Sequence, residues 1–150
     1  MEVISHSVER TRELGSLLGK KSCPGTVVIL VGDLGAGKTQ FAKGVAHGLG
    51  VEDARVVTSP TFVLMNQYAG AIPIQHYDLY RVEGVEIDAL GFSDFRDTSV
   101  SLIEWGDKVG DVGDHIRVEF QVEGDTSRRL TFSARGAHSE QLVRDLNLFL

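Results

Sequence analysis

The chain has 150 residues, enough for one domain with a packed core, and 42% of them are hydrophobic and 24% charged. These proportions are close to those of soluble globular domains, so they exclude the disordered, collagen-like and fibrous classes. The formal net charge of -6 has the wrong sign for a protein that grips nucleic acid or anionic lipid through bulk electrostatics.

The first third of the chain predicts a helix, a strand and a second helix. Residues 8–18 place leucines on one helical side, with Ser7 as the N-cap and Gly19 just after the end. Val27–Val31 is an unbroken aliphatic run, which is typical of a central parallel strand buried on both faces. Residues 38–49 carry apolar side chains at helical spacing, so they predict the helix that follows this strand.

The rest of the chain predicts more strands and ends with a hairpin and a helix. Further strands are predicted over 55–57, 62–67, 72–79 and 100–105, a short helix over 83–90, and a closing helix over 139–149. Apolar and polar residues alternate in 118–122 and again in 130–134, which indicates an antiparallel hairpin with one face in water. This order of elements predicts one α/β domain over residues 1–150, a layered sandwich with a mixed sheet.

The most informative motif is the segment Gly32-Asp33-Leu34-Gly35-Ala36-Gly37-Lys38-Thr39, which matches the phosphate-loop pattern G-x-x-x-x-G-K-[ST] in full. A buried strand enters it and a helix leaves it, as a phosphate loop requires. Its glycines let backbone N–H groups point at phosphate oxygens, Lys38 adds a positive charge for the β- and γ-phosphates, and Thr39 offers a hydroxyl to Mg²⁺. The sequence therefore predicts a P-loop NTPase-like three-layer sandwich with a mixed sheet and a C-terminal antiparallel hairpin.

Two acids at predicted strand ends are candidates for holding Mg²⁺ or aiming water. Glu104 ends an apolar run, the position expected of a carboxylate directed at the γ-phosphate from the carboxyl edge of a sheet. Asp78 shares one strand face with His76 at period two, which suggests the wall of a site. A strand-end glutamate emerging into water and a hydrogen-bonded edge-strand pair would explain the same patterns.

The segment Thr58-Ser59-Pro60-Thr61-Phe62 joins two predicted strands, and proline stiffens it while three hydroxyls crowd it. It fits either a loop that senses the γ-phosphate and Mg²⁺, as switch loops do, or a plain turn with Ser and Thr caps.

Other sites and compartments find little support in the sequence. The five histidines are scattered and Cys23 is the only cysteine, which argues against a zinc site and an internal disulfide. A lone thiol fits a reducing compartment, and the sequence shows no signal peptide and no apolar run approaching roughly 18 residues. We therefore expect a cytoplasmic protein that does not use a membrane.

Together the motifs resemble those of the TsaE family, the small P-loop ATPases of bacterial tRNA threonylcarbamoyladenosine biosynthesis. The resemblance extends to about Gly136 and rests on the ordered set of the phosphate loop, residues 58–62, His76-Tyr77-Asp78-Leu79-Tyr80-Arg81 and Leu102-Ile103-Glu104-Trp105. One departure is Gly106, where the family often has proline.

The resemblance implies that residues 32–39 bind ATP, and that Thr61 contacts the nucleotide from a switch loop. It implies catalytic roles for Lys38, Asp78 and Glu104, and a Mg²⁺ ligand set of Thr39, Asp78 and Glu104. Arg81 or a partner protein would supply an arginine that completes the site.

The resemblance also implies partners, the TsaD and TsaB proteins, with which family members act as ATPases that are weak alone. The negative net charge agrees with contact to tRNA only through these proteins. The alternative is a nucleotide-sensing regulatory module with negligible hydrolysis, which would differ from an ATPase in the function of Glu104.

Overall fold

A seven-stranded mixed sheet organises the computed structural model, which describes residues 1–60, 64–81 and 87–150. The strands are β1 (Glu2–Ser5), β2 (Val27–Val31), β3 (Met65–Tyr68), β4 (Ile74–Asp78), β5 (Val100–Glu104), β6 (His115–Val122) and β7 (Arg128–Arg135). The helices are α1 (Val8–Lys21), α2 (Lys38–Gly48), α3 (Phe92–Phe95) and α4 (Ala137–Asn147). Short 3-10 turns cover Ala54–Val56, Ile87–Leu90, Arg96–Thr98 and Gly106–Lys108.

The strands lie in the order β1-β7-β6-β2-β5-β4-β3. β2 runs parallel to β5 and β6, and β4 runs parallel to β5, while β1, β3 and β7 pair antiparallel with their neighbours. Leu30 of β2 and Asp78 of β4 both pair with Glu104 of β5, so these three strands end at the same edge of the sheet.

Two apolar layers cover the two faces of the sheet. On one face α1, α2 and α4 bury Leu14, Phe41 and Leu142 against the strands. On the other face α3 and the turn Ile87–Leu90 cover Tyr77, whose ring meets that of Phe92 edge to face at 6.3 Å between centroids. β2 contributes alternate residues to both layers, which is why its sequence is apolar throughout. The predicted three-layer arrangement, the central strand and the C-terminal hairpin are confirmed.

Helices α1 and α2 approach each other closely because glycines line their contact. A Cβ atom at Gly15 would lie 2.3 Å from the carbonyl oxygen of Phe41, and one at Gly44 would lie 2.0 Å from that of Arg12. Gly19 has the same role toward Val45, so its prediction as the helix terminator is wrong. α1 instead continues to Lys21.

Several predicted element bounds need correction. Residues 55–57 are not a strand, because Ala54–Val56 forms a 3-10 turn in which the Asp53 carboxylate accepts hydrogen bonds from Arg55 N and Nε, both at 3.0 Å. β1 was not predicted, since four residues with a polar start form a strand only by pairing with β7. Of the helix predicted over 83–90, residues 83–86 lie outside the described part, and Ile87–Leu90 is a 3-10 turn. Of the strand predicted over 62–67, residues 62–63 lie outside the described part, and the strand that follows them is β3, which spans Met65–Tyr68.

No helix within residues 1–60, 64–81 and 87–150 combines the length and apolar character that crossing a membrane requires.

The glycine contact between the two helices yields a test of stability. We expect Gly44→Ala to lower the free energy of unfolding by about 1–3 kcal/mol, because the new methyl group must push α2 away from the α1 backbone. Urea unfolding followed by circular dichroism measures the change. Gly110→Ala is the matched control, since a Cβ atom there meets nothing within 4 Å, and it should stay within about 0.5 kcal/mol of the parent chain. Equal stability of all three chains would contradict this account of the helix contact.

Candidate functional site

A pocket of about 920 Å³ opens at the edge of the sheet where β2, β4 and β5 end. The segment 33–40 forms its floor, and residues from the start of α1 and from the β6–β7 turn form the wall opposite the strand ends. The walls include Val8, Asp78, Tyr80, Glu104, Trp105 and Arg128.

The floor of the pocket has the local structure of a phosphate loop. β2 leads into it, and α2 begins at Lys38 directly after Gly37, whose φ of 108° lies in the left-handed region that favours glycine. Among the described residues no side chain caps the start of α2. The positive end of the helix and its first N–H groups therefore face the pocket, as an anion site requires.

Lys38 extends back over the loop and is only 6% exposed. Its ammonium group donates hydrogen bonds to the carbonyl oxygens of Gly32 and Asp33, and it lies 3.9 Å from the centre of the Trp105 ring. Burial lowers the pKa of Lys38 from its ordinary 10.5, while the negative charges of Glu104 and Asp78 act in the opposite direction. The buried cation is thus balanced by carboxylates from two strands.

The two predicted acids lie side by side at the ends of β4 and β5, and each is 2% exposed. Glu104 Oε1 accepts a hydrogen bond of 3.2 Å from the hydroxyl of Thr39. Asp78 accepts one from Ser59 Oγ and one of 2.9 Å from the backbone N–H of Tyr80. Glu104 is not a strand-end glutamate that emerges into water, because it is buried. Asp78 does not lie on an edge strand, because β4 lies between β3 and β5.

A buried hydrogen-bond chain continues behind Glu104. Its second oxygen, Oε2, lies 2.7 Å from His76 Nε2, and His76 Nδ1 lies 2.9 Å from the hydroxyl of Tyr68. That hydroxyl is also 3.2 Å from the carbonyl oxygen of Thr58, an acceptor that competes with a neutral Nδ1 for its single proton. These side chains therefore connect the pocket with the segment that precedes the undescribed residues 61–63.

The sequence profile of one known family, described as "Threonylcarbamoyl adenosine biosynthesis protein TsaE", matches residues 5–130. The chain belongs to the TsaE family. The resemblance seen in the motifs is confirmed, and it connects the chain to a family of tRNA threonylcarbamoyladenosine biosynthesis.

Individual TsaE proteins match most of the chain. The "tRNA threonylcarbamoyladenosine biosynthesis protein TsaE" of Bacillus subtilis is 38% identical over 143 residues, which cover 93% of this chain and 89% of that protein. The protein of the same name from Treponema pallidum is 36% identical over 135 residues, with 87% and 98% covered. A crystal structure of Bacillus subtilis YdiB superposes with a TM-score of 0.78 at 30% identity and covers 99% of this chain and 95% of that chain. The shared P-loop fold favours nucleotide binding.

Most residues that the sequence singled out in this TsaE-family chain lie in one place. Lys38, Thr39, Asp78 and Glu104 lie around the pocket, and Arg81 is an exposed part of its lining. Thr61, predicted to contact the nucleotide, lies outside the described residues. The departure from the family pattern at Gly106 has a local reason, since a Cβ atom there would lie 2.0 Å from Ile29 Cγ2.

Two residues of this TsaE-family site were missed by sequence reasoning. Arg128 of β7 donates a 3.3 Å hydrogen bond to the carbonyl oxygen of Gly35, and two more to the hairpin turn. Tyr68 joins the buried chain behind Glu104 from the edge strand β3. No local sequence pattern indicates a role in the site for either residue. Arg128 and Gly35 are 93 residues apart, and an aromatic residue such as Tyr68 is common in strands.

The electrostatics of Lys38 can be measured directly. We expect Glu104→Gln to lower the pKa of Lys38 further, because the substitution removes a negative charge that favours the ammonium form. Lysine ¹³Cε chemical shifts recorded against pH report this pKa. Asp107→Asn, which removes a weaker contributor, should lower it less. An unchanged or raised Lys38 pKa in Glu104→Gln would contradict the assigned balance of charges.

Proposed function

We propose that this TsaE-family chain, as one P-loop ATPase domain, is a Mg²⁺-dependent ATPase that serves tRNA threonylcarbamoyladenosine biosynthesis through TsaD and TsaB. The observation that carries the proposal is the convergence of Lys38, Thr39, Asp78 and Glu104 around one phosphate loop. A binding loop alone supports nucleotide capture, whereas buried carboxylates beside it supply what hydrolysis needs.

Nucleotide binding follows from the loop and the start of α2. Residues Gly32, Asp33, Leu34, Gly35, Ala36 and Gly37 wrap around the phosphates of ATP with their backbone N–H groups, and Lys38 exchanges its carbonyl partners for phosphate oxygens. The exchange is favourable because an ammonium–phosphate contact is charge-assisted, whereas Lys38 now bonds to neutral carbonyls. The nucleoside then extends toward Val8 and Arg128 at the other end of the pocket.

The donor set beside the loop fits Mg²⁺, which prefers hard oxygen ligands. Thr39 supplies a hydroxyl, Asp78 and Glu104 supply carboxylates, and the 3.2 Å hydrogen bond from Thr39 to Glu104 shows that two of the three already meet. These residues would hold the ion, which supplies charge neutralisation for the transferred phosphoryl group.

Hydrolysis is assigned to Glu104, whose Oε1 faces the pocket. Glu104 orients a water molecule and takes up its proton as the water oxygen bonds to the γ-phosphorus. The bond between that phosphorus and the bridging oxygen breaks, and ADP leaves with the bridging oxygen and its electron pair. Lys38 positions the phosphates and neutralises part of their charge during this step, and Asp78 would contribute by holding the ion beside them. Arg81 or an arginine of a partner completes the charge neutralisation.

The chain is proposed to act on proteins and to leave the tRNA to them. Its net charge of -6 does not favour direct RNA binding, and its relatives carry the name of a tRNA-modification pathway. A single cysteine agrees with a reducing cytoplasm as the working compartment. A nucleotide-sensing module that binds ATP and changes its partner without turnover is the alternative, and the same pocket would serve it.

Turnover separates the two functions. We expect Glu104→Gln to lower the ATP turnover number by about 10²-fold or more, with and without TsaD and TsaB, because it removes the group that orients water and takes its proton. Phosphate release measures the rate. Glu52→Gln is the matched control, since this exposed acid lies outside the pocket, and it should turn over like the parent chain. Equal background rates for the parent and Glu104→Gln under both conditions would favour the sensing module.

Thr39 tests the Mg²⁺ assignment through binding alone. Trp105 is the only tryptophan, and its ring centre lies 3.9 Å from Lys38 Nζ, so its fluorescence reports phosphates that enter the loop. We expect Mg²⁺ to tighten ATP binding in the parent chain, and Thr39→Ala to lose about tenfold of that gain because a ligand is missing. Thr39→Ser keeps the hydroxyl and should keep the gain. An unchanged Mg²⁺ effect in Thr39→Ala would argue against the ligand role.

A further inference from the structure

His76 is a fully buried polar side chain beside the proposed catalytic glutamate, and it has no role in the proposed hydrolysis of ATP. We infer that His76 is a positioning residue, which holds Glu104 Oε2 so that Oε1 faces Thr39 and the pocket. This inference rests on the proposed ATPase function for its main readout.

The Glu104 carboxylate is held at both of its oxygens. Each of its oxygens has its own partner, His76 Nε2 at 2.7 Å from Oε2 and Thr39 Oγ1 at 3.2 Å from Oε1. A buried carboxylate oxygen without a hydrogen bond is strongly unfavourable, so the two partners fix the rotation of the group. If His76 gave no hydrogen bond, Glu104 would turn toward other donors and Oε1 would lose its direction.

The His76 ring is itself fixed by a second hydrogen bond. A carboxylate only accepts hydrogen bonds, so the proton between His76 and Glu104 belongs on Nε2. In the neutral ring Nδ1 is then an acceptor, and the Tyr68 hydroxyl at 2.9 Å is its donor. Tyr68 also packs against the imidazole at 5.8 Å between ring centroids. Adjacent strands β3, β4 and β5 therefore supply one residue each to a single hydrogen-bonded row.

The position of His76 excludes a direct chemical role for its ring. It does not line the pocket, and Nε2 is directed at the far oxygen of Glu104, away from Thr39. A group in that place reaches neither phosphate nor water. His76 therefore acts on the reaction only through the orientation of Glu104.

The row also links the two acids to one short segment. The carbonyl oxygen of Thr58 lies 3.2 Å from the Tyr68 hydroxyl, and the next residue, Ser59, donates a hydrogen bond to Asp78. A displacement of residues 58–59 would therefore change the Ser59 hydrogen bond to Asp78 directly, and it would change the competition for the Tyr68 proton, which holds His76 beside Glu104.

His76→Gln and His76→Asn separate a positioning role of His76 from a packing role. The side-chain amide nitrogen of glutamine can reach the place of His76 Nε2, so His76→Gln can still donate to Glu104. Asparagine is shorter and its amide reaches only the place of Nδ1, so His76→Asn can still meet Tyr68 but not Glu104. We expect His76→Asn to lower the ATP turnover number at least about tenfold with Mg²⁺-free nucleotide affinity unchanged, and His76→Gln to stay within about threefold of the parent.

A second pair tests the outer end of the row by removing one oxygen atom. Tyr68→Phe keeps the ring but loses the hydroxyl that holds His76, and we expect a turnover number several-fold lower. Tyr77→Phe removes a buried hydroxyl that has no hydrogen-bond partner among the described residues, and it should turn over ATP at the parent rate. Equal rates in Tyr68→Phe and Tyr77→Phe would remove Tyr68 from the row.

Thermal unfolding of each variant completes the experiment. If His76→Asn and His76→Gln lose turnover equally, in step with their melting temperatures, His76 is a packing residue and the inference fails. It fails as well if both variants turn over ATP like the parent.

If the parent itself shows no turnover above Glu104→Gln, the proposed ATPase is wrong, and Trp105 fluorescence then tests the role of His76. Positioning predicts that His76→Asn loses the Mg²⁺ gain in ATP affinity as Glu104→Gln does, while His76→Gln keeps it, and equal gains in all chains would overturn it.

Discussion

Parallel pairing of β2, β4 and β5 is the constraint on which the site depends. The register that sets Leu30 and Asp78 level with Glu104 brings the end of each strand to the same edge. Because neighbouring strands lie about 4.8 Å apart, the last residues of β4 and β5 are within reach of the helix that starts beside them. A shift of β5 by one residue would turn Glu104 to the opposite face of the sheet, so the site requires this register.

Burial of charge is the second constraint. Lys38, Asp78 and Glu104 are all nearly removed from water, and one cation beside two carboxylates leaves a net negative charge at the proposed metal position. Desolvation lowers the Lys38 pKa, and the carboxylates act against that change. In the proposed ATPase a divalent cation would enter between the carboxylates and the polyphosphate and offset part of the negative charge of both. Lys38 and the N-terminus of α2 face the phosphate charge that remains.

Local patterns predicted the parts of this structure that local chemistry specifies. The buried run of β2, the phosphate loop and the alternating hairpin each bear their signal within a few residues, and Asp78 and Glu104 could be found because each ends a strand. Contacts between distant segments carry no such signal. Gly19 looked like a helix terminator because only the neighbouring helix shows why it lacks a side chain. β1 is a strand because it pairs with β7, and Tyr68 reaches the site because β3 pairs with β4; neither pairing is visible in the local sequence.

The helix pair connects this remote packing to the site. α2 carries Lys38 and Thr39 on its first turn, and the start of α1 forms part of the opposite wall of the pocket. The distance between these walls is set where Gly15 and Gly44 let the two helix backbones touch, one to two turns away from the phosphate loop. Close-packed interiors transmit small displacements, so a methyl group at that contact would move the first turn of α2 relative to the acids on the sheet. The glycines thereby fix the geometry of the site as well as the stability of the fold.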